Sequence, residues 1–377
     1  MKSMALLVKK RWSAPVYIDK NKNYFWVWFL FSLGIFFNET FSDWCILKKK
    51  EDIFTTMTHN YQIQEDVILR QYLPKDFLEN ATGFQPSETD SFIVGYPRAG
   101  SSWVAYILYL LRNGGEPIGI GERLWEDVPE VGVGRHVQQP FGKYFVHLAD
   151  LVTHPRILRT HLPPDKAPVH PKSKIIYISR NPFDTAVSLY NENRAINEFS
   201  GNFDDFFTYF LHGQTDYNDY FDHHVEWSNR KAMQHILWIT YEELKQYPRA
   251  IIKKLGDYLG GIYERNANDD YIVKEVIAHS SLTEMKASEH LLIQPNPNRN
   301  NGLSFFQDGN IGNYNKTFSK QQVKQLSERF SREFSGTSFL NTWKKQGLPI
   351  YVNNNNNNDY INHNNNNVIT ITKSNHR

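Results

Sequence analysis

The stretch that most restricts how this chain can fold runs from Ser91 to Arg112. Ser91-Phe92-Ile93-Val94-Gly95-Tyr96 is a short apolar run that enters Pro97-Arg98-Ala99-Gly100-Ser101-Ser102-Trp103. Val104 to Arg112 (VAYILYLLR) then places apolar residues at helical spacing. The order predicted is strand, glycine loop, helix. A helix N-terminus offers unpaired N–H groups and a favourable dipole to an anion held in such a loop. Gly100 permits close backbone approach, Ser101 and Ser102 supply hydroxyl donors, and Arg98 supplies a fixed positive charge. Compared with the triphosphate loop G-x-x-x-x-G-K-[ST], Gly95 and Gly100 keep the spacing, but Ser101 stands where the lysine is required. An ordinary ATPase or GTPase is therefore disfavoured, and no metal ligand is implied.

The remainder of the chain reads as one large domain with two dissimilar ends. Of 377 residues, 40% are hydrophobic and 15% aromatic, which supplies a core and excludes a largely disordered chain. Lys and Arg number 42 against 40 Asp and Glu, and a net charge of +2 is too small for a broad nucleic-acid surface. The single cysteine, Cys45, excludes an internal disulfide and a cysteine zinc site. Asn353–Asn358 and Asn364–Asn367 are homopolymeric, so 351–377 reads as a disordered tail. Tyr24 to Phe37 (YFWVWFLFSLGIFF) is apolar over 14 residues and lies between lysine-rich flanks. A spanning helix needs about 20 such residues. Membrane contact through residues 24–37, a deep signal segment and an apolar stretch packed on the domain all remain open. The expected organisation is an N-terminal extension over 1–55, a single α/β domain over 56–350 and the tail, with no internal repeat.

Tyr96-Pro-Arg-Ala-Gly-Ser-Ser-Trp103 resembles the 5′-phosphosulfate loop, YPKSGTTW, of the cytosolic sulfotransferase family. The likeness continues in order. Arg159–Pro163 (RTHLP) is similar to the family's KTHLP, and Ile175–Tyr190 (IIYISRNPFDTAVSLY) to its 3′-phosphate segment. Ile236–Gly260, Ser280–Lys286 and, more loosely, Gly309–Ser319 resemble the later blocks. The resemblance implies a P-loop-like central parallel sheet flanked by helices, in a single domain, and 3′-phosphoadenosine-5′-phosphosulfate (PAPS) as co-substrate without a metal. It further implies transfer of the sulfuryl group to a hydroxyl or amine of a small-molecule acceptor.

On the same resemblance, His161 is the catalytic base; an unperturbed imidazole pKa of about 6.5 suits that task near neutrality. Arg98 aligns with the lysine at the bridging oxygen, and Arg159 replaces a lysine beside the sulfonate. Arg98, Ala99, Gly100, Ser101 and Ser102 form the 5′-phosphate loop, and Trp103 stacks on adenine. Arg180 and Ser188 hold the 3′-phosphate, eight residues apart as the end of a strand and a turn of the following helix require. Tyr241, Ser280 and Gly309 fall in the adenine and phosphate pockets. Trp125, Phe141, Tyr144, Phe305 and Phe306 are expected around the acceptor, which would favour apolar or aromatic compounds.

Two blocks depart from the pattern. Where the family has Arg-Lys-Gly, this chain has Gln307-Asp308-Gly309. Two charge-assisted bonds are lost, each worth about 1.5–3 kcal/mol. This motivates an alternative reading as a catalytically weak nucleotide-binding scaffold; Arg299, eight residues before Gln307, is a candidate replacement. The family's dimer stretch is also altered, at Asn315, Ser319, Lys320 and Lys324, so the usual dimer is not expected. The expected compartment is the cytoplasm, with membrane association through residues 24–37 as the alternative.

Overall fold

The computed structural model describes residues 61–139, 142–230, 235–300, 302–335 and parts of 337–361. The apolar stretch 24–37, Phe141, the Tyr144 side chain and everything after 361 lie outside the described residues. Among the described residues no helix is long and apolar enough to cross a membrane.

The strands in chain order are β1 (Tyr61–Gln64), β2 (Val67–Arg70), β3 (Ser91–Val94), β4 (Gly134–Gln139), β5 (Gly142–His147), β6 (Ile157–Thr160), β7 (Lys174–Ser179) and β8 (Ile236–Thr240). Four of them form the central sheet in the order β6-β3-β7-β8, and each pairing in it is parallel. Hairpins β1-β2 and β4-β5 stand apart as antiparallel pairs. The helices that position the site are α1 (Ser101–Arg112), α2 (Pro182–Ala195), α3 (Tyr220–Asn229), α4 (Tyr241–Gln246) and α5 (Lys320–Glu333).

The reason for this architecture lies in the strand sequences. All four residues of β3 are buried, as are five of the six in β7. Strands covered on both faces read as near-continuous apolar runs. Alternate residues serve the two layers. Ile93, Ile176 and Ile178 pack with Val104–Leu111 of α1, whereas Phe92, Val94, Ile175 and Tyr177 pack with Leu158 and Trp227 on the other side. A third cluster, rich in aromatics, joins Tyr96 and Phe183 to Phe330, Phe334 and Trp343. The expected helix-flanked parallel sheet is therefore what forms.

Within the Asn-rich stretch read as a disordered tail, Ile350–Asn354 (β9) pairs antiparallel with Asn357–Ile361 (β10). Ile350 faces Ile361 and Tyr351 faces Tyr360. The altered dimer stretch caps a helix: Ser319 accepts from the Gln322 amide at 3.2 Å at the start of α5, and Lys324 lies 3.8 Å from Glu328.

Candidate active site

β3 delivers the chain into the loop between Val94 and Ser101, and two residues there adopt left-handed backbone, Arg98 at φ 70° and Gly100 at φ 112°. At Gly100 a side chain would be strained, and its Cβ would also lie a tight 3.1 Å from both the Ile178 and Tyr241 side chains. Gly95 is required for a different reason. A Cβ there would come within 2.4 Å of the Ile178 carbonyl oxygen on β7. The loop thus turns tightly beneath the N-terminus of α1, whose first residues, Ser101 and Ser102, are buried.

Among the residues whose side chains are described, every one expected at the site except Ala99 lines one cleft of about 1280 Å³. Ala99 is buried behind the loop, its amide donating to the Tyr96 carbonyl at 3.1 Å.

His161 follows β6 directly. Its Nδ1 lies 2.6 Å from the Gly95 carbonyl oxygen. A carbonyl can only accept, so Nδ1 carries the proton and Nε2 keeps its lone pair. The same logic extends one shell outward. His223 Nε2 donates to the His161 carbonyl at 3.0 Å, which leaves His223 Nδ1 to accept from the Tyr177 hydroxyl at 2.8 Å. Burial holds the His161 pKa below the usual value; Glu130 and the Gly95 bond oppose the shift, and Arg159 and Arg70 reinforce it. The imidazole is neutral at pH 7, the form a base requires. Tyr217 packs against it with ring centroids 5.4 Å apart, and the Tyr217 hydroxyl donates to Glu130 at 3.1 Å.

The cations occupy two stations. Arg159 donates from Nε to the Val128 carbonyl at 2.9 Å and from Nη1 to Ser102 Oγ at 3.3 Å, so its charge sits at the start of α1. Arg98 leaves that loop and reaches α2. Its Nε donates to Ser188 Oγ at 3.0 Å and its Nη2 to the Phe305 carbonyl at 2.7 Å, with the guanidinium 4.1 Å from the Phe305 ring centroid. Burial lowers the Arg98 pKa to about 10, which still leaves it charged at neutrality. Sequence reasoning placed Arg98 at a leaving oxygen beside the loop; the structure holds its charge beside Ser188.

Arg180 directly follows β7, with its guanidinium 4.4 Å from the Tyr241 ring centroid, and its Nη1 donates to the Arg98 carbonyl at 3.4 Å. Asn181 then caps α2, accepting from the Asp184 amide at 2.9 Å, and this sets the helix that carries Ser188. Trp103 and Tyr241 meet edge to face at 5.3 Å, and the Tyr241 hydroxyl donates to the Gly309 carbonyl at 2.9 Å. Ser280 spends its hydroxyl proton on the Val276 carbonyl at 2.6 Å, so toward the cleft it offers lone pairs only.

Sequence reasoning missed Glu192, which is 2% exposed yet surrounded by arginines: Arg299 at 2.5 Å, Arg98 at 3.6 Å and Arg70 at 4.0 Å. A signal existed, since Glu192 follows Ser188 by four residues and so shares its helix face. Arg70 carried no such signal; its partner Asp216, 2.7 Å away, is 146 residues distant in sequence. Among the described residues no group of His, Cys, Asp and Glu could hold a metal ion.

Residues 88–338 match the sulfotransferase domain family. The chain belongs to the sulfotransferase family. Human sulfotransferase 2B1 is 30% identical over 260 residues, covering 66% of this chain and 67% of that protein. Mouse sulfotransferase 1B1 is 30% identical over 272 residues, covering 69% and 87% respectively. In fold, this sulfotransferase resembles mouse SULT7A1 complexed with PAP, with a TM-score of 0.58, 23% identity and coverage of 76% and 98%. It also resembles retinol dehydratase in complex with androsterone and the inactive cofactor PAP, at a TM-score of 0.60, 17% identity and coverage of 77% and 95%.

Proposed function

We propose that this sulfotransferase moves the sulfuryl group of PAPS to the hydroxyl or amine of a small acceptor by in-line displacement. The carrying observation is the His161 ring, fixed by the Gly95 carbonyl with Nε2 unprotonated, in a cleft with cations at two stations. The residues fit such a donor: two buried serines at a helix N-terminus, Arg159 beside Ser102, Arg98 on Ser188, and Arg180, held to the Arg98 carbonyl, lining the same cleft. The donor supplies an activated sulfur–oxygen bond, which breaks as a bond from sulfur to the acceptor oxygen forms. His161 Nε2 takes the acceptor's proton, and Arg159 is positioned to balance charge at the loop end of the cleft. Trp103 and Tyr241 offer aromatic faces to a base. Trp125, Phe305 and Phe306 line the cleft, which supports a partly aromatic acceptor surface.

Transfer of labelled sulfate from PAPS to a phenol, abolished by His161→Ala with nucleotide binding retained, is the expected result. Full transfer by the variant would remove His161 from the mechanism. Gln307 beside Ser188 favours the second reading, a nucleotide-binding protein with weak or no turnover; nucleotide binding without transfer to any acceptor would select it.

A further inference from the structure

Residues 307 and 308 are where the resembling family holds the ribose 3′-phosphate with two cations, and here they bring none. Gln307 Nε2 donates to the Ser188 carbonyl at 3.2 Å, and Asp308 is exposed, accepting from Asn313 Nδ2 at 3.1 Å. Positive charge nevertheless gathers beside Ser188 from another direction. Arg98 and Arg299 both lie against the Phe305 ring, 4.1 and 5.6 Å from its centroid. Arg299 Nη2 is 2.5 Å from Glu192 Oε1, and Arg98 Nη1 is 3.6 Å from Glu192 Oε2.

The charges in this cluster do not balance. Arg70 has Asp216 at 2.7 Å, so Glu192 is left to offset both Arg98 and Arg299. Arg180 Nε and Arg299 Nη1 are buried with no hydrogen-bond partner among the described residues, and Arg98 Nη1 and Glu192 Oε2 face each other at 3.6 Å, beyond hydrogen-bonding distance and each without a hydrogen bond there. Buried donors without acceptors are costly, and the three arginines line the same cleft as Ser188. A phosphate dianion, with three terminal oxygens, suits a cleft lined by three guanidinium groups that hold donors to spare.

We propose that Arg299, tethered by Glu192, joins Arg98 and Arg180 in binding the donor's 3′-phosphate and so replaces the cations missing at 307 and 308. The arginine fork suits this role, because one edge engages the carboxylate and another remains for phosphate. The inference rests on the donor reading above.

The test compares the affinities of the full chain for adenosine 3′,5′-bisphosphate and for AMP, which lacks the 3′-phosphate, by titration calorimetry. The wild type prefers the bisphosphate. Arg299→Met cuts that preference by about tenfold or more, the equivalent of one charge-assisted hydrogen bond, with AMP affinity unchanged. Gln307→Arg in the Arg299→Met background restores the preference. An unchanged preference in Arg299→Met overturns the proposal. An equal loss for both nucleotides overturns it as well, since that marks a packing role. A wild type that binds neither nucleotide removes the donor reading itself, and this proposal with it.

Discussion

Replacing Glu192 by glutamine keeps the shape of the side chain and deletes the one carboxylate that Arg98 and Arg299 share. Glu192 is 2% exposed, so water cannot take over its role. Removing one partner from a buried charge pair costs about 3–5 kcal/mol, because the remaining charge is left uncompensated. That is a large share of the roughly 5–15 kcal/mol that holds a typical domain together. Equilibrium urea denaturation at pH 7 should show the loss directly. The pH dependence offers a second reading. Burial pushes the Glu192 carboxyl up, but the charges of Arg98, Arg70 and Arg299 and the Arg299 hydrogen bond outweigh it and hold the pKa below 4.5. A carboxyl lowered in the folded state stabilises the fold above its unfolded pKa and loses that contribution as pH falls through the folded one. The wild type should therefore lose this advantage over Glu192→Gln below about pH 4.5, and the two stability curves should converge. Adenosine 3′,5′-bisphosphate should stabilise the variant more than the wild type, since its phosphates supply the missing negative charge. A loss below about 1 kcal/mol at pH 7, or curves that fall in parallel into acid, would refute the argument that Glu192 is the counter-charge of this cluster.

Two further outcomes follow from the loop and the base. Gly95→Ala forces a Cβ within 2.4 Å of the Ile178 carbonyl oxygen, so β3 and β7 must part. Thermal unfolding should show a loss of about 1–3 kcal/mol together with weaker nucleotide binding, and an unperturbed variant would show that the strands have slack. The kcat/KM profile should rise with pH through an ionisation below 6.5 and be flat by neutrality, because burial lowers the His161 pKa and only the neutral ring accepts a proton. An acid limb centred above 6.5 would point to a different base.

The strand–loop–helix at 91–112, the place of His161 after a short strand and the placing of Arg180 just after a strand and Ser188 on the following helix were all legible in the chain itself. Each depends on residues close in sequence, whose apolar period, loop chemistry and helix caps choose the local backbone. The direction of long side chains was not legible. Arg98 belongs by sequence to the phosphate loop, yet its contacts are Ser188, Phe305 and Glu192, the nearest of them 90 residues away. The absence of cations at Gln307 and Asp308 could be read from the sequence, but not the gathering of Arg98 and Arg299 on Glu192 or of Arg70 on Asp216. A guanidinium at the end of a flexible stem goes where buried acceptors and ring faces are brought to it, and only the packing of distant segments decides where those lie.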